Sequence, residues 1–538
     1  QNDMPADIAV NYPYAKSDGS LYNKYRSAAG TLNVQYDADL LQISSVTNYQ
    51  WNNNRWACAC DFQSADSSNG IGATWATENS SWKAFSQELR ALTQFDGPFN
   101  MMLGALYQKT KRDFEQYVMF AGVSNSAAPD GFEYVATAKS SYTEGETMAM
   151  FGQATFKILP TLELAGGVRY TDETKNSFFT QPYNNPLVTT IFRDQNDPDG
   201  LGEVYARQHF TNWSPEATLT WKPAQDIMVY GAYKTAYKSG GFSNGGINSK
   251  FSANPQGDLT FNPEQAEGFE IGFKSTLLDR QLRFNVTAFT YKYKDLQVDF
   301  FNSPIFAFQT LTADARTKGV EVDFQFAPFA VPGLDIHGSI NYNKARYTSF
   351  PLAPCYAGQT PTEGCTLAGN TRQNLTGAPL SVAPEWTGSL GLGYQTPISD
   401  ALKLGINVDS KYSDSYLASG FGNPLSKQDS YVTIDAGIRV GAHDDNWQIA
   451  LIGKNLTNQF YVTGVVDGPS TGSGTGTAAG VKADQLGFGS PPRFLLPPTL
   501  REQGDHLDRP CKNPATGVGD GALAISLSIG YQQPLGER

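Results

Sequence analysis

The strongest constraint on the fold of this chain is a strict alternation of apolar and polar side chains in many segments. In the segment 282–288 every second residue is apolar and those between are polar: Leu282, Phe284, Val286 and Ala288 against Arg283, Asn285 and Thr287. A period of two predicts a β-strand with two unlike faces. The pattern recurs at 161–170, 403–412 and 432–440, where charged residues lie in mid-strand. In a soluble sheet the apolar face would line a core, whereas in a transmembrane barrel it would face lipid.

The connections between the predicted strands alternate between short and long. Short turns are predicted near 37–38, 96–98, 159–160, 222–225, 276–280, 328–333, 397–401 and 442–446. Long segments rich in Gly, Asn, Ser and Pro lie near 51–82, 113–143, 173–206, 238–264, 294–312, 346–384, 414–428 and 462–490. Antiparallel strands of a membrane barrel are joined in this way, with short periplasmic turns at one rim and long extracellular loops at the other. Eight short turns predict sixteen strands.

Composition narrows the class of protein further. No run of apolar residues approaches 18, which excludes a transmembrane helix. The formal net charge of −12 argues against a nucleic-acid partner, because a phosphate backbone requires a stripe of Lys and Arg. The four histidines form no catalytic motif, so we expect no enzyme activity and no cofactor. A soluble all-β enzyme, such as a propeller hydrolase, is disfavoured because no site residues converge in the sequence.

The cysteines predict an oxidising compartment. Cys355 and Cys365 flank a Gly-, Pro- and Thr-rich loop, a spacing that suits a disulfide. Cys58 and Cys60 could form a tight bridge or pair elsewhere, and a zinc site there would lack a second pair of ligands.

An acidic segment at 194–203 is a weak candidate for a Ca²⁺ site. Its oxygen-bearing side chains are Asp194, Asn196, Asp197, Asp199 and Glu203. The spacing departs from that of an EF-hand loop, because Pro198 occupies the fifth position. A solvated acidic loop is therefore the favoured interpretation, and we predict no metal site.

Three short motifs resemble those of a known family. They consist of Asn262, Pro263, Glu264, Glu270, Gly272 and Lys274, then Lys318, Gly319 and Glu321, and finally Asn455, Leu456, Thr457 and Tyr461. Together with the segment 212–243, their order and spacing resemble the β-barrel of TonB-dependent outer-membrane receptors over about residues 20–490. Each motif alone is weak, but four matching segments on an independently predicted barrel are specific.

The resemblance implies an all-β, transmembrane antiparallel β-barrel of about 22 strands that is closed by an N-terminal plug. About 16–17 of these strands would lie in this chain, and the plug and the TonB-binding segment would lie outside it. We divide the chain into an irregular extracellular start at 1–30, the barrel at 31–490 and an atypical tail at 491–538. The tail is rich in Pro and charge and is poor strand material, except for a last strand at 521–531.

The family implies active import through the outer membrane of a Gram-negative cell, driven by the TonB complex through the plug. The expected ligand is a ferric siderophore, the expected surroundings are outer-membrane lipid, and the expected state is a monomer. Cobalamin, haem or a glycan are alternative ligands, and a passive pore or surface-binding barrel without a plug is an alternative function.

Ligand contacts are expected on the long loops and in the upper lumen. The candidates are aromatic and basic residues: Trp51, Arg55, Trp56, Phe62, Tyr237, Lys238 and Phe242. Such groups suit an anionic or aromatic iron chelate. The alternative is that these residues anchor the barrel at the membrane interface or pack the loops.

Overall fold

The computed structural model describes residues 3–59, 74–243, 248–302, 307–369, 371–467, 482, 485–489, 494–502 and 522–532. Among these residues, two short α-helices, α1 (Ala6–Ala9) and α2 (Pro255–Leu259), and two 3-10 turns, Pro361–Glu363 and Pro424–Ser426, lie in loops. No helix of the described part has the length and apolar character needed to span a membrane.

The remaining elements are strands. In chain order they are β1 (Tyr22–Asp37), β2 (Leu41–Ala59), β3 (Thr74–Thr93), β4 (Phe99–Phe120), β5 (Thr137–Leu159), β6 (Leu162–Asn184), β7 (Glu203–Ala224), β8 (Ile227–Lys238), β9 (Gly241–Phe242), β10 (Thr260–Phe261), β11 (Glu264–Leu277), β12 (Leu282–Asn302), β13 (Ala307–Phe326), β14 (Leu334–Ser349), β15 (Ala353–Pro354), β16 (Arg372–Gln373), β17 (Trp386–Pro397), β18 (Leu402–Ser413), β19 (Tyr416–Leu417), β20 (Lys427–Gln428), β21 (Tyr431–Ala442), β22 (Trp447–Lys454), β23 (Val462–Asp467), β24 (Gln485–Gly489), β25 (Phe494–Glu502) and β26 (Ala522–Gln532).

Eighteen of these strands form one antiparallel sheet that curls into a barrel. From β1 to β22, each strand of the sheet pairs with the next one along the chain. β22 then pairs with β25, and β26 pairs with β1. The short strands β9, β10, β15, β16, β19, β20, β23 and β24 form two-stranded ribbons in the loops.

The predicted pattern of turns is confirmed. The sixteen sheet strands from β1 to β22 are joined pairwise at all eight positions where the sequence predicts a short turn. The antiparallel barrel is therefore confirmed as well. The strand total of eighteen exceeds the expected 16–17, because both β25 and β26 belong to the sheet.

The strands extend further from the membrane than the sequence predicts. β5 and β6 have 23 residues each, about twice the length that crosses a bilayer. Much of the segments 113–143, 173–206 and 294–312 is therefore strand, where long loops were predicted. Beyond the bilayer both faces of a strand are wet, so the alternation of side chains disappears while the hydrogen-bonded ladder continues.

The exposed apolar side chains indicate which face of the sheet suits contact with lipid. In β5, Met148 and Met150 are 56% and 72% exposed and lie on the same face as Phe156 and Ile158. Across the sheet, Phe156 pairs with Leu164 and Met150 pairs with Tyr170. These side chains form a continuous outward band that suits lipid contact, as in transmembrane barrels.

The opposite face is polar and lines the lumen. In β12, Asn285 donates a hydrogen bond to Asp323 Oδ1 at 2.9 Å, while the adjacent Val286 pairs with Val322 on the outer face. The loops between β14 and β21 fold inward over this lumen. Their side chains pack on Ala315 and Tyr347, which have the same facing as Asp323.

The N-terminal segment 3–21 packs on the outside of the extended strands. Met4, Ala9 and Tyr12 contact Trp75 and Met119, and both of these lie on the outward face of β3 and β4. β1 begins at Tyr22, inside the segment 1–30 that was expected to be irregular.

The tail contains one strand, β25, that the sequence did not predict. The Pro-rich segment that begins at residue 494 was expected to be poor strand material, yet it forms β25. The ladder between β22 and β25 is irregular between Ala450, which pairs with Thr499, and Ile452, which pairs with Leu496. Pro497 and Pro498 lie in this irregularity, where a ladder can tolerate a residue without an N–H group. β26 occupies the segment in which the last strand was expected.

Candidate functional site

The first family motif shapes the lumen wall. Glu270, Gly272 and Lys274 alternate along β11 on its inner face. A Cβ atom at Gly272 would lie 2.1 Å from a ring atom of Tyr230, so glycine leaves the space that this ring occupies. Lys274 Nζ lies 5.6 Å from the centroid of the same ring, a cation–π distance. The motif therefore fixes an aromatic side chain in the wall.

Glu270 is held by two partners on the inner wall. It accepts a hydrogen bond from the Tyr291 hydroxyl, and Lys234 Nζ lies 3.2 Å from its other oxygen. Its charge is thus compensated within the barrel, and its role is to bind neighbouring strands together.

The Asn-Leu-Thr motif ends β22 in a tight turn. Asn455 has a φ of 47°, and its side chain accepts from the Gln459 N–H at 3.0 Å. Asp435 on the neighbouring strand accepts from the Asn455 N–H and from Lys454 Nζ, both at 2.8 Å. Beyond the turn, Tyr461 stacks on Tyr431 with ring centroids 4.3 Å apart. The motif is therefore a strand terminator.

Replacing Asp435 with alanine should lower the stability of the folded barrel by about 1–3 kcal/mol, because the Asn455 N–H and the Lys454 ammonium lose their acceptor. The measurement is the temperature at which the purified protein loses its fast-migrating, folded form on an unheated gel. Asp400→Ala, which removes an exposed carboxylate from the β17–β18 turn, is the matched control. Equal shifts for the two variants would contradict this role of Asp435.

The candidates at the end of β2 lie on opposite faces of the sheet. Trp51 and Arg55 lie on the same outward face of β2 as Tyr49, whereas Trp56 faces inward and pairs with Glu78. The Arg55 Nε donates to Asn79 at 2.9 Å, and its guanidinium lies 5.4 Å from the Tyr14 ring centroid. The positions of Trp51 and Arg55 favour anchoring of the outer wall, while Trp56 lies beside the lumen. Phe62 lies outside the described residues.

The candidates that follow β8 lie in a fixed loop. Phe242 is 9% exposed and packs with Phe179 and Leu259, which favours loop packing over ligand contact. Lys175 Nζ donates to Ser239 Oγ at 2.6 Å and to the Gly240 carbonyl at 2.8 Å, which fastens the loop to the wall.

Two other candidates, Tyr237 and Lys238, are the last residues of β8 and have different surroundings. Burial and the nearby Glu173 raise the pKa of Tyr237 well above its usual value. Lys238 is exposed and lies 3.9 Å from Glu264 of the family motif. Lys238 is therefore the member of this group that a ligand could reach.

A polar cluster on the inner wall near the extracellular ends of β2–β5 was missed by sequence reasoning. It contains Trp56, Glu78, Gln116 and Lys139. Gln116 Nε2 donates to Glu78 at 3.2 Å, and Lys139, the register partner of Gln116, is 3% exposed. Burial lowers the pKa of Lys139 to about 8, against the attraction of Glu78, whose own pKa is raised by burial. The cluster was not predicted from the sequence, because 113–143 was expected to be a loop and not part of two paired strands.

The acidic segment 194–203 is engaged by cations of the protein itself. Lys250 lies 2.9 Å from Asp197, and Arg193 pairs with Asp199. Asp194 accepts from the Asn196 N–H at 2.9 Å. Within the described ranges, no group of three or more His, Cys, Asp or Glu residues could hold a metal ion.

Cys355 and Cys365 form a disulfide that closes a short loop between β15 and β16. Cys58 is also disulfide-bonded, while Cys60 lies outside the described residues. The closed loop is tied to its neighbours, since the Ala357 N–H donates to Asp467 at 2.7 Å. The loops at this rim therefore form one connected cover.

Replacing Cys365 with serine should loosen this cover and leave the barrel intact, because a short disulfide loop contributes about 2–3 kcal/mol of local stability. We expect faster proteolytic cleavage between residues 355 and 373, with unchanged heat-resistance of the folded barrel. The measurement is limited proteolysis with mass spectrometry, and reduced wild-type protein is the control. An unchanged cleavage rate in both would contradict the prediction.

Comparisons with known proteins agree with this architecture. The family model "TonB dependent receptor-like, beta-barrel" matches residues 2–456. The pesticin receptor of Yersinia enterocolitica is 23% identical over 373 residues, which cover 64% of this chain and 49% of that protein. The chain thus spans about half the length of the curated relatives that it matches.

Two solved structures show the same fold. The ferric yersiniabactin uptake receptor FyuA from Yersinia pestis has a TM-score of 0.64 at 15% identity, with 88% of this chain and 61% of that chain covered. The siderophore receptor PiuA from Acinetobacter baumannii has a TM-score of 0.63 at 16% identity, with 95% and 65% covered.

Proposed function

This chain belongs to the TonB-dependent receptor family, and we propose that the whole protein imports a scarce large ligand across the outer membrane of a Gram-negative cell. The observation that carries the proposal is the combination of a polar lumen wall with inward-folded loops over its mouth. A wide wet channel under a connected cover suits capture followed by transport. In this account a plug and the TonB complex, neither of them part of the structure, control passage.

We propose a ferric siderophore as the ligand. The inner wall near its extracellular end combines the aromatic side chain of Trp56 with the exposed ammonium group of Lys238. These groups suit an anionic aromatic iron chelate through cation–π contacts and charge-assisted hydrogen bonds. The two structural relatives named above are described as a ferric yersiniabactin uptake receptor and a siderophore receptor, which supports the same ligand class.

The outward apolar band supports outer-membrane lipid as the surroundings. Aromatic side chains flank this band: Trp213 is 66% exposed and its ring centroid lies 4.8 Å from that of Tyr170. Such pairs suit the interfacial girdle of a membrane barrel. A single barrel has its own lumen and its own cover, so we propose that the protein works as a monomer and as a transporter without enzyme activity.

The ligand class can be tested by equilibrium binding to the whole protein in detergent. The probes are a ferric catecholate, a ferric hydroxamate, ferric citrate, haem and cobalamin, and tryptophan fluorescence reports binding. We expect saturable binding of one iron chelate with a Kd below about 1 µM, and much weaker binding of its metal-free form. Binding of haem or cobalamin alone would show that the ligand is not a ferric siderophore and belongs to that other class. No binding, together with ion conductance in a lipid bilayer, would overturn the proposal in favour of a passive pore.

A further inference from the structure

The extracellular half of β7 is an open edge of the barrel wall. Over residues 203–214 this strand pairs with β6 on one side. On the other side, the ladder between β7 and β8 extends upward only as far as the register pair of Glu216 and Lys234. Among the described strands, none pairs with this side of β7 above Pro215. We call residues 203–214, on this side, the open edge of β7.

Two local features end the ladder at this height. Pro215 has no N–H group and cannot donate to β8. Its carbonyl accepts instead from the side-chain hydroxyl of Thr235 at 2.8 Å. β8 itself ends at Lys238, and the chain then turns inward, where Lys175 Nζ donates to the Gly240 carbonyl at 2.8 Å. β8 therefore leaves the space beside the upper part of β7.

The direction of the Pro215 carbonyl shows which backbone groups face the open edge. The N–H and C=O groups of one residue point to the same side of a strand, and the side alternates along the chain. Because the Pro215 carbonyl points towards β8, every second residue above it points both groups to the same side. These residues are Glu203, Tyr205, Arg207, His209, Thr211 and Trp213. Their backbone groups have no hydrogen-bond partner on that side within the described part of the chain.

The same residues present exposed side chains on the outer wall. Tyr205 and Trp213 are 68% and 66% exposed. Arg207 lies between them, and the ion pairs of the described residues do not include it. By contrast, the neighbouring His209 lies 3.1 Å from Asp172. The open edge thus carries an unopposed cation between two exposed aromatic side chains.

The inner side of the open edge is closed. Val204 and Ala206, which alternate with the exposed residues, are buried and pack with Phe242 and Leu259 of the loop after β8. A groove of about 680 Å³, which Trp213 lines together with residues of β8 and β11, continues the free space below. A strand added beside β7 would therefore lie in the outer wall, without access to the lumen.

An exposed strand edge has a defined chemical preference. Its alternating N–H and C=O groups are matched by another extended peptide backbone, which can add a strand to the sheet. A lipid or a sugar lacks this periodic array of donors and acceptors. The side chains of an added strand would contact those directly opposite on β7. Arg207 favours a carboxylate at the opposite position through charge-assisted hydrogen bonds.

A second copy of this chain does not fit the open edge. Two barrels in one membrane have the same orientation, so β7 runs from the extracellular to the periplasmic side in both. Strands of such barrels are tilted by about 35–45°, and two copies brought edge to edge would tilt in opposite directions. The two β7 strands would then cross at a wide angle, which prevents a ladder.

We propose that the open edge of β7 binds an extended segment of a second protein outside the cell, as an added antiparallel strand. The segment would carry a carboxylate opposite Arg207 and aromatic or aliphatic side chains opposite Tyr205 and Trp213. This interaction is separate from the proposed transport function, because it occupies the outer wall and leaves the lumen free.

The experiment measures binding of a labelled peptide to the whole protein in detergent by fluorescence anisotropy. The peptide is Tyr-Val-Thr-Ala-Thr-Val-Glu-Val-Tyr with blocked ends. In antiparallel register it places its Glu opposite Arg207 and its terminal Tyr residues opposite Tyr205 and Trp213. One derivative is N-methylated at both Thr residues, whose N–H groups would face β7. The other is N-methylated at the two Val residues that flank Glu, whose N–H groups would face away from β7.

A pair of charge-reversed variants tests the place of binding. Arg207→Glu is compared with Lys83→Glu, which reverses an exposed charge on β3. Lys83 is a matched control because it lies on the outer face opposite Trp51, in a strand that has partners on both sides. A peptide with Lys in place of Glu completes the design, and migration on an unheated gel checks that each variant is folded.

We expect saturable binding of the peptide at one site. Methylation at Thr should weaken binding about tenfold or more, whereas methylation at Val should leave it unchanged. Arg207→Glu should bind the peptide about tenfold more weakly and should regain binding with the Lys peptide, while Lys83→Glu should bind as wild type does.

The absence of saturable binding to wild type would overturn the proposal. Equal effects of the two methylation patterns would overturn it as well, because they would exclude pairing with a strand edge. Equal effects of the two variants would show that the peptide binds elsewhere. Because the lumen is not involved, each of these results leaves the transport proposal untouched.

Discussion

Replacing Gly319 with valine should strongly reduce the amount of folded barrel in the membrane, whereas Gly231→Val should leave it unchanged. A Cβ atom at Gly319 would lie 1.9 Å from the Tyr342 carbonyl oxygen and 3.0 Å from the Phe289 ring. The first contact is with backbone, so a rotamer change cannot relieve it. Overpacking costs about 1–3 kcal/mol where side chains can adjust, and a clash with the ladder itself costs more.

Gly231 is a matched control because it also lies in mid-strand but has no atom within 4 Å of an added Cβ. Both variants gain the same β-branched side chain, so strand propensity cancels in the comparison. The measurement is the fraction of membrane-extracted protein that migrates as the folded form without heating. Equal folded fractions for the two variants would show that Gly319 has no packing role in the barrel.

Neutralising Glu78 in Glu78→Gln should destabilise the upper wall by less than the roughly 3–5 kcal/mol of a fully buried ion pair, because the buried ammonium of Lys139 loses the attraction of this half-buried carboxylate. The double variant Glu78→Gln/Lys139→Met should be at least as stable as wild type. The reason is that burial pushes the pKa values of both groups towards their neutral forms, which means that desolvation outweighs their attraction. Replacing such a pair by neutral groups is often neutral or stabilising.

The same pair predicts a pH dependence. The pKa of Lys139 is lowered from 10.5 to about 8 in the folded state, so between these values the unfolded state binds more protons. Local stability in wild type should therefore rise by about 3 kcal/mol as the pH increases from about 8 to about 10.5. Below pH 8 the group is protonated in both states and stability does not depend on it. The double variant should lack the rise.

Hydrogen exchange of the amides in the extracellular halves of β3, β4 and β5 measures this local stability at several pH values. The amides near the periplasmic turns of the same strands serve as an internal reference. A double variant that is less stable than Glu78→Gln would contradict the account, as would a wild type whose protection falls between pH 8 and pH 10.5.

The membrane-spanning part of the fold could be predicted from the sequence, because the two faces of each strand there meet different surroundings. In 282–288 one face meets lipid and the other meets water, so the side chains alternate and the strand is visible. The turn at 276–280 is short because antiparallel neighbours meet there, and the structure has Leu277 and Leu282 as register partners. The extensions of β5 and β6 were invisible, since strands with two wet faces carry no such alternation.

The site was harder to predict because it depends on which face a residue takes and on how loops fold back. Trp51 and Trp56 are five residues apart in one strand and therefore lie on opposite faces. Their facing could be assigned only once the strand was known to extend to Ala59. Lys139 comes to the upper wall through pairing with β4, a contact that its local sequence does not encode. Phe242 was a reasonable ligand candidate by type, and its burial results from α2 and β7.

Uptake in cells distinguishes active transport of an iron chelate by the whole protein from passive diffusion through the barrel. Cells that express the whole protein, with and without a functional TonB complex, would receive the radiolabelled ferric chelate that binds to the purified protein. We expect accumulation that requires both the protein and TonB and that stops when the proton gradient is dissipated. Uptake at the same rate without TonB would contradict the account, because the barrel would then act as a passive pore.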